Sequence, residues 1–190
     1  MDTWIETYTK KRIDLLDPKP EDIDPVDIAH SLSMQCRFNG HCHAFYSTAE
    51  HCVRMACEFP DKWTYRVMAL LHDAPEAYVS DIVSPLKHSG EMEQFIAIEN
   101  RFLECIVEKF GVWYNDQIWR GVKEADVRML ATETRDLFPD DRYKEWPMLQ
   151  GVMPYTKTIS PMTQQHAEDT YYAMLVTLTS AAKRKYHHGF

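Results

Sequence analysis

The chain has 190 residues, 45% of them hydrophobic and 26% charged, and a formal net charge of −8 at pH 7. This length and composition predict one globular domain, residues 1–190, with a sizeable core. The negative charge argues against a protein that binds duplex nucleic acid, which needs a basic face for phosphates. A small anionic substrate stays compatible with it, because a metal ion and a few cations can dominate one pocket.

The cysteines and the N-terminal segment bear on location. The five cysteines are odd in number and contain no C-x-x-C pair, which predicts free thiols in a reducing compartment. The first eleven residues have no apolar core, so we expect no signal peptide. No apolar run approaches the ~20 residues of a membrane span. The expected location is the cytoplasm, without membrane association.

Helix signals follow one another along the first half of the chain. Asp24 before Pro25 predicts an N-cap and a first helical residue. Ser47 and Glu50 have the spacing of a capping box, so a second helix should begin there. Asp61 is a candidate cap for a third helix.

The second half continues the pattern. After an irregular loop over residues 81–90, a long amphipathic helix should end at Gly111, and another should cover residues 115–134. Residues 138–160 are the least regular, and Ser160 with Pro161 predicts the start of a final helix. No alternating strand pattern is present. The sequence predicts an all-α bundle.

The most informative segment is 70–76, where His72 and Asp73 stand side by side after an apolar run. A histidine nitrogen next to a carboxylate suits a divalent Zn, Mn, Co or Fe ion. His51 upstream and Asp126 downstream add a second histidine and a second aspartate, giving the order H…HD…D. Four ligands of this type can leave a coordination position open for water.

Each of these residues alone has an ordinary structural interpretation. His51 could be a surface or capping histidine, and Asp73 could cap the following segment. An unpaired Asp126 on an apolar face would be costly and would need a partner. Their occurrence together, in this order, favours the metal site.

At this point the chain resembles the HD-domain phosphohydrolases, in particular the bacterial 5′-deoxynucleotidases and the phage deoxynucleoside triphosphohydrolases. The resemblance covers about half of the chain, from Ala29 to Asp126. It rests on Arg37-Phe38, Tyr46-Ser47-Thr48-Ala49-Glu50-His51, His72-Asp73-Ala74-Pro75-Glu76-Ala77, Asp81, Pro85-Leu86-Lys87 and Asp126. It implies an HD-domain helical bundle with His51, His72, Asp73 and Asp126 as metal ligands.

Two acidic residues follow the His-Asp pair. Glu76 lies three residues after Asp73, about one helical turn, and can share its face. The resemblance implies that Glu76 is the catalytic acid-base and that Asp81 assists near the scissile phosphate. The alternative is a pair of solvated carboxylates. Either residue could also help hold a Mg²⁺ ion carried by the substrate phosphates.

Three further residues are candidates for binding substrate. Arg37 offers a planar fork for phosphate and Lys87 a mobile point charge, although surface salt bridges are the alternative for both. Phe38 could pack against the sugar, at a position where the deoxynucleotidases commonly carry tryptophan.

The resemblance therefore implies a metal-dependent phosphoric ester hydrolase that cleaves the 5′ phosphate ester of deoxynucleotides. We favour a dATP-type triphosphohydrolase, which releases deoxynucleoside and triphosphate, over a 5′-deoxynucleotidase acting on dNMPs. Extra cations beyond the first phosphate would separate the two. A non-catalytic nucleotide-binding HD module stays open, as does a two-iron oxygenase using Glu76 and His88.

The implied partners are a small deoxynucleotide and further copies of the chain. Relatives of this kind form dimers or hexamers, and Trp113, Tyr114 and Trp119 are compatible with an interface or with the core. His41 and His43 have the wrong spacing for one helical face, so a loop position is expected. Cys52 is interpreted as an ordinary small apolar residue.

Overall fold

The computed structural model describes residues 2–138, 140 and 145–186, and the side chains of these up to residue 180. Its α-helices are α1 (Pro25–Met34), α2 (Thr48–Cys57), α3 (Trp63–Leu71), α4 (Glu76–Val79), α5 (Ser84–Lys87), α6 (Glu93–Phe110), α7 (Asp116–Leu137) and α8 (Gln164–Tyr186). Within the described residues, 3-10 turns cover Arg37–Gly40 and Pro147–Leu149. The predicted all-α fold is confirmed.

Most predicted helix ends are found where the sequence placed them. The side chains of Asp24, Ser47 and Asn115 each accept a hydrogen bond from a backbone N–H in the first turn of α1, α2 and α7. Each bond satisfies a donor that has no partner within the helix. Gly111 ends α6 with a φ of 63°, a left-handed conformation that glycine adopts without a Cβ penalty.

Two predicted caps are wrong. The N-cap of α3 is Lys62 and not Asp61, and no side chain bonds to that helix start. The last helix begins at Gln164 rather than after Ser160, because the hydroxyl of Thr163 accepts a hydrogen bond from the N–H of His166. Cap signals near a proline compete over a few residues, and packing decides between them.

Two short elements also depart from the predictions. Strands β1 (Trp4–Glu6) and β2 (Arg12–Asp14) pair antiparallel with Ile5 opposite Ile13. They are only three residues long, too short for an alternating pattern to stand out. Helix α5 lies within the loop predicted for residues 81–90. In the segment 138–160, residues 139 and 141–144 lie outside the described residues.

Helices α2, α3 and α8 surround the centre of the core. Helix α8 packs against α1, α2 and α3, and α3 also contacts α7. Tyr171 of α8 is fully buried and donates a 2.8 Å hydrogen bond to the carbonyl of Leu70. Side chains such as Leu32, Met68 and Phe102 are fully buried, each contributing about 1.5–3 kcal/mol. This packing brings the start of α2, the end of α3 and the middle of α7 together.

Among the described helices, none combines the length and the apolar character that crossing a bilayer would require.

Candidate metal centre

Four predicted ligands from three parts of the fold converge on one point. His51 lies in the first turn of α2, His72 and Asp73 follow the last residue of α3, and Asp126 lies in the middle of α7. His51 is completely buried and His72 is 5% exposed. The packing of α2 and α7 against α3 therefore builds the site.

The distances between the donor atoms suit a single ion. Nε2 of His51 lies 3.4 Å from Nε2 of His72, 3.3 Å from Oδ1 of Asp126 and 3.6 Å from Oδ2 of Asp73. Nε2 of His72 lies 3.2 Å from Oδ1 of Asp73. Ligands about 2.1 Å from one ion stand roughly 3.0–3.4 Å apart. His51, His72 and Asp126 form a possible metal-binding group, and Asp73 lies at similar distances.

Both imidazole rings are held with Nε2 directed into this cluster. Nδ1 of His72 is 2.9 Å from the carbonyl oxygen of Ala69, which can only accept, so Nδ1 carries the proton. Nδ1 of His51 is 2.5 Å from a carboxylate oxygen of Glu133. When both rings are neutral, the Nε2 lone pairs of His51 and His72 point toward each other and toward the carboxylates of Asp73 and Asp126. A cation between them satisfies this arrangement.

Glu133 is a part of the site that the sequence reasoning missed. It is fully buried on α7, and its second oxygen accepts a 3.2 Å hydrogen bond from Nη2 of Arg37. The seven-residue spacing from Asp126 is a signal that could have found it, since two helical turns place both carboxylates on one face.

Charges around the cluster shift its pKa values strongly. Burial and Arg37 oppose protonation of His51, but Glu133 and Asp126 outweigh them and raise its pKa to about 9. Burial likewise opposes ionisation of Asp73 and Asp126, yet the histidines hold both carboxyl pKa values well below their usual range. The cluster is thus a set of ionised carboxylates that attracts a cation.

A cavity of about 720 Å³ opens onto the cluster. Its size lies within the usual range for small-molecule sites, roughly 300–1,000 Å³. Eight of the nine predicted site residues line it, and these are Arg37, Phe38, His72, Asp73, Glu76, Asp81, Lys87 and Asp126. His51 lies behind them, fully buried.

Comparisons with known proteins identify the chain's relatives. YfdR of Escherichia coli K12 is 38% identical over 167 residues, which are 87% of this chain and 89% of YfdR. The chain belongs to the YfdR family. RCAP_rcc00048 of Rhodobacter capsulatus is similarly 34% identical over 145 residues, 70% of this chain and 72% of that protein. No protein-family model matches. Both relatives are described as uncharacterized, so the activity of this YfdR-family protein must be argued from its site.

Glu76 of this YfdR-family chain is nearly buried, at 6% exposure, and its Oε2 has no hydrogen-bond partner among the residues that the structure describes. Burial, followed by the negative charges of Asp73 and Asp81, raises its pKa well above the usual value. A buried carboxyl group that faces a cavity and whose pKa is raised in this way is suited to donate a proton.

The two predicted phosphate-binding residues are already engaged with carboxylates. Arg37 lies 3.5 Å from Asp73 in addition to its bond to Glu133, and its buried Nε has no hydrogen-bond partner within the described part of the chain. Nζ of Lys87 lies 2.7 Å from Glu99. Both nevertheless line the cavity, so each can share its charge with a ligand there.

Sequence reasoning also missed two residues near the cluster. Nζ of Lys123 lies 3.5 Å from Asp126, one turn away on α7, and lines the cavity. The thiol of Cys52 lies within 4.8 Å of donor atoms of His72 and Asp73, so this buried cysteine, interpreted from the sequence as a small apolar residue, borders the candidate metal site. All five cysteines are free, as predicted.

The three aromatic residues considered for an interface lie in different places: on the surface, in the cavity and against the core. Trp113 is 69% exposed, whereas Trp119 lines the cavity and Tyr114 packs partly buried against the core. His41 is exposed and lines the cavity just after the turn at Arg37–Gly40, which agrees with a loop position.

Proposed function

We propose that this YfdR-family chain is an HD-type metal-dependent phosphohydrolase that cleaves the 5′ phosphate ester of deoxynucleotides. The preferred reaction in this proposal is release of triphosphate from a dNTP. The observation that carries it is the convergence of His51, His72, Asp73 and Asp126, with short donor–donor distances, at the wall of a cavity large enough for a nucleotide.

The four ligands hold a divalent Zn, Co, Mn or Fe ion in this proposal. Such an ion would lower the pKa of a water molecule and polarise a phosphate oxygen. The chain contributes the orientation of the ligands. Because Glu133 and the carbonyl of Ala69 fix both rings, His51 and His72 can bind through Nε2 without first rotating.

Glu76 donates a proton to the leaving group. Cleavage at the 5′ oxygen of the sugar leaves an alkoxide that needs a proton. Glu76 holds one because burial and the charges of Asp73 and Asp81 disfavour its ionised form. Among the described residues Oε2 has no hydrogen-bond partner, so donating a proton from this atom breaks no existing hydrogen bond.

The cations lining the cavity support a polyphosphate substrate over a monophosphate. Arg37 and Lys87 were expected there, and Lys123 adds a third positive charge beside the metal ligand Asp126. A dNTP carries more negative charge than a dNMP and gains more from these groups. Phosphoryl chemistry depends mainly on such positioning and charge stabilisation.

The test begins with chelator-stripped protein, reloaded separately with Zn²⁺, Co²⁺, Mn²⁺ or Mg²⁺. Each form is incubated with dNTPs, dNMPs and matched ribonucleotides, and products are separated by ion-exchange chromatography. We expect deoxynucleoside and tripolyphosphate from dNTPs. Asp126→Asn should remove activity and weaken metal binding, while the matched control Asp116→Asn, exposed on the same helix, should change neither.

The other outcomes decide among the alternatives. Inorganic phosphate from dNMPs alone would replace the triphosphohydrolase with a 5′-deoxynucleotidase. Metal and nucleotide binding without turnover of any substrate would leave a binding module. Failure to bind any transition ion would overturn the proposal.

A further inference from the structure

Three aromatic side chains form a continuous row on one side of the cavity. The ring centroids of Phe38 and Phe138 are 5.1 Å apart with the planes at 87°, and those of Phe138 and Trp146 are 5.7 Å apart at 82°. All three residues line the cavity that opens onto the metal cluster. We call Phe38, Phe138 and Trp146 the aromatic wall.

The wall is joined to the phosphate-binding side of the cavity through Arg37. Its guanidinium carbon lies 5.4 Å from the centroid of the Phe38 ring, and its nitrogens contact Asp73 and Glu133. The wall thus starts next to a cation that touches a metal ligand. A ligand whose phosphate reaches the cluster can place an attached ring against the wall.

The backbone at Phe38 is held in an unfavourable conformation. Phe38 has φ 58° and ψ 27°, and Asn39 and Gly40 that follow it also have positive φ. A bulky residue rarely adopts this left-handed region, and it persists where the surroundings enforce it, often at ligand sites. If the Phe38 ring served only to fill space in the core, a residue with an ordinary negative φ could provide it.

Away from the charged cluster, the exposed lining of the cavity is largely apolar, with Val83, Ile96, Leu103 and Leu130 among its residues. Ser84, His88 and Asn100 also line it. Recognition that relies on stacking tolerates different bases, because every base has a π-face. A bicyclic purine presents more of this surface than a pyrimidine.

We infer that the aromatic wall receives the base of the nucleotide and favours purines over pyrimidines. This inference rests on the proposed function for the phosphate end of the ligand. Phe138 and Trp146 are then specificity-determining residues contributed by the chain after α7, outside the segment that carries the HD resemblance.

The test uses Zn²⁺-loaded protein and ligands that lack the 5′ phosphate ester cleaved in the proposed reaction. Isothermal titration calorimetry measures the Kd of deoxyadenosine, thymidine and inorganic tripolyphosphate. We expect deoxyadenosine to bind more tightly than thymidine. Trp146→Ala should weaken deoxyadenosine about 5- to 150-fold, the value of one stacking contact, and leave tripolyphosphate unchanged. Trp146→Phe should stay within about 3-fold of the wild type, because it keeps a stacking ring.

Matched controls separate a local effect from a general one. Trp113→Ala removes a tryptophan that is 69% exposed and outside the cavity lining, so it should change no Kd. Equal weakening of deoxyadenosine and tripolyphosphate by Trp146→Ala would overturn the inference. No deoxyadenosine binding to the wild type at millimolar concentration, or a preference for thymidine, would also overturn it.

Failure of the proposed function is distinguishable from failure of this inference. If the protein binds deoxyadenosine in a Trp146-dependent way but cleaves no phosphate ester, the inference about the base site stands and the proposed phosphohydrolase activity is wrong. Equal kcat/KM for dATP and for dTTP would keep a phosphohydrolase and overturn the role of the wall.

Discussion

Nδ1 of His51 lies 2.5 Å from Oε1 of Glu133, although the two residues are 82 positions apart. Both side chains are fully buried, and the same carboxylate also accepts a hydrogen bond from Arg37. One acidic group therefore orients a candidate metal ligand and a candidate phosphate-binding cation. Such outer partners of metal-binding histidines typically matter nearly as much as the ligands.

Replacing Glu133 should consequently weaken metal binding. Glu133→Gln keeps an acceptor for Nδ1 but removes the negative charge that makes the imidazole a better ligand. We expect Co²⁺ or Zn²⁺ affinity to fall about 10- to 100-fold, measured by competition with a chromophoric chelator. Glu124→Gln, an exposed glutamate on the same helix, is the control and should leave affinity unchanged. An unaltered Kd in Glu133→Gln would show that the contact is only structural.

Metal binding should depend on pH through His51. In the metal-free protein its pKa is raised to about 9, so at neutral pH an incoming ion must displace a proton. We expect about one proton released per ion at pH 7 and progressively fewer as the pH approaches 9. Calorimetric titration in buffers of different ionisation enthalpy measures this number. No proton release at neutral pH would contradict the prediction.

The same pKa predicts how the stability of the metal-free protein varies with pH. A histidine whose pKa is raised on folding stabilises the native state fully below its unfolded value of about 6.5. That contribution is lost as the pH rises through about 9. The free energy of unfolding of chelator-treated protein should therefore decrease over this range, as checked by urea denaturation. His51→Asn should flatten the decrease.

Glu76 should affect the reaction and not the metal. Since its Oε2 has no partner, Glu76→Gln leaves no broken contact at that atom while removing the transferable proton. We expect kcat to fall about 10²- to 10⁴-fold with metal affinity unchanged. The wild-type rate should also decline as the pH rises above the raised pKa of Glu76, and the variant should lack this decline. Glu93→Gln, exposed at the start of α6, is the matched control.

Close packing between α3 and α7 is testable at Gly121. A Cβ at this position would lie 2.6 Å from Cε1 of Tyr65. Overpacking costs about 1–3 kcal/mol, whereas alanine gains about 1 kcal/mol of helix propensity over glycine. We expect Gly121→Ala to lower the free energy of unfolding by about 1 kcal/mol. In a Tyr65→Ala background the same change should be stabilising, and a destabilising effect there would exclude the ring as the cause.

The sequence predicted the parts of the site that lie close together along the chain. The adjacent pair His72-Asp73, the cap at Ser47 that sets the start of α2, and the first turn carrying His51 all depend on local hydrogen bonds and spacing. The order of the four candidate ligands came from the resemblance to the HD-domain phosphohydrolases, since Asp126 is distant in sequence from the other three. Asp61 shows the limit, because a good cap residue was present and the helix began elsewhere.

What the sequence by itself determined is therefore the helices, and the types and order of the candidate ligands. Only the tertiary structure decided that Glu133 meets His51, that Lys123 stands beside the cluster and that Trp146 reaches the cavity. Periodicity tells which residues share a face of one helix. It does not tell which face of another helix lies opposite, because that depends on how α2, α3 and α7 pack across dozens of intervening residues.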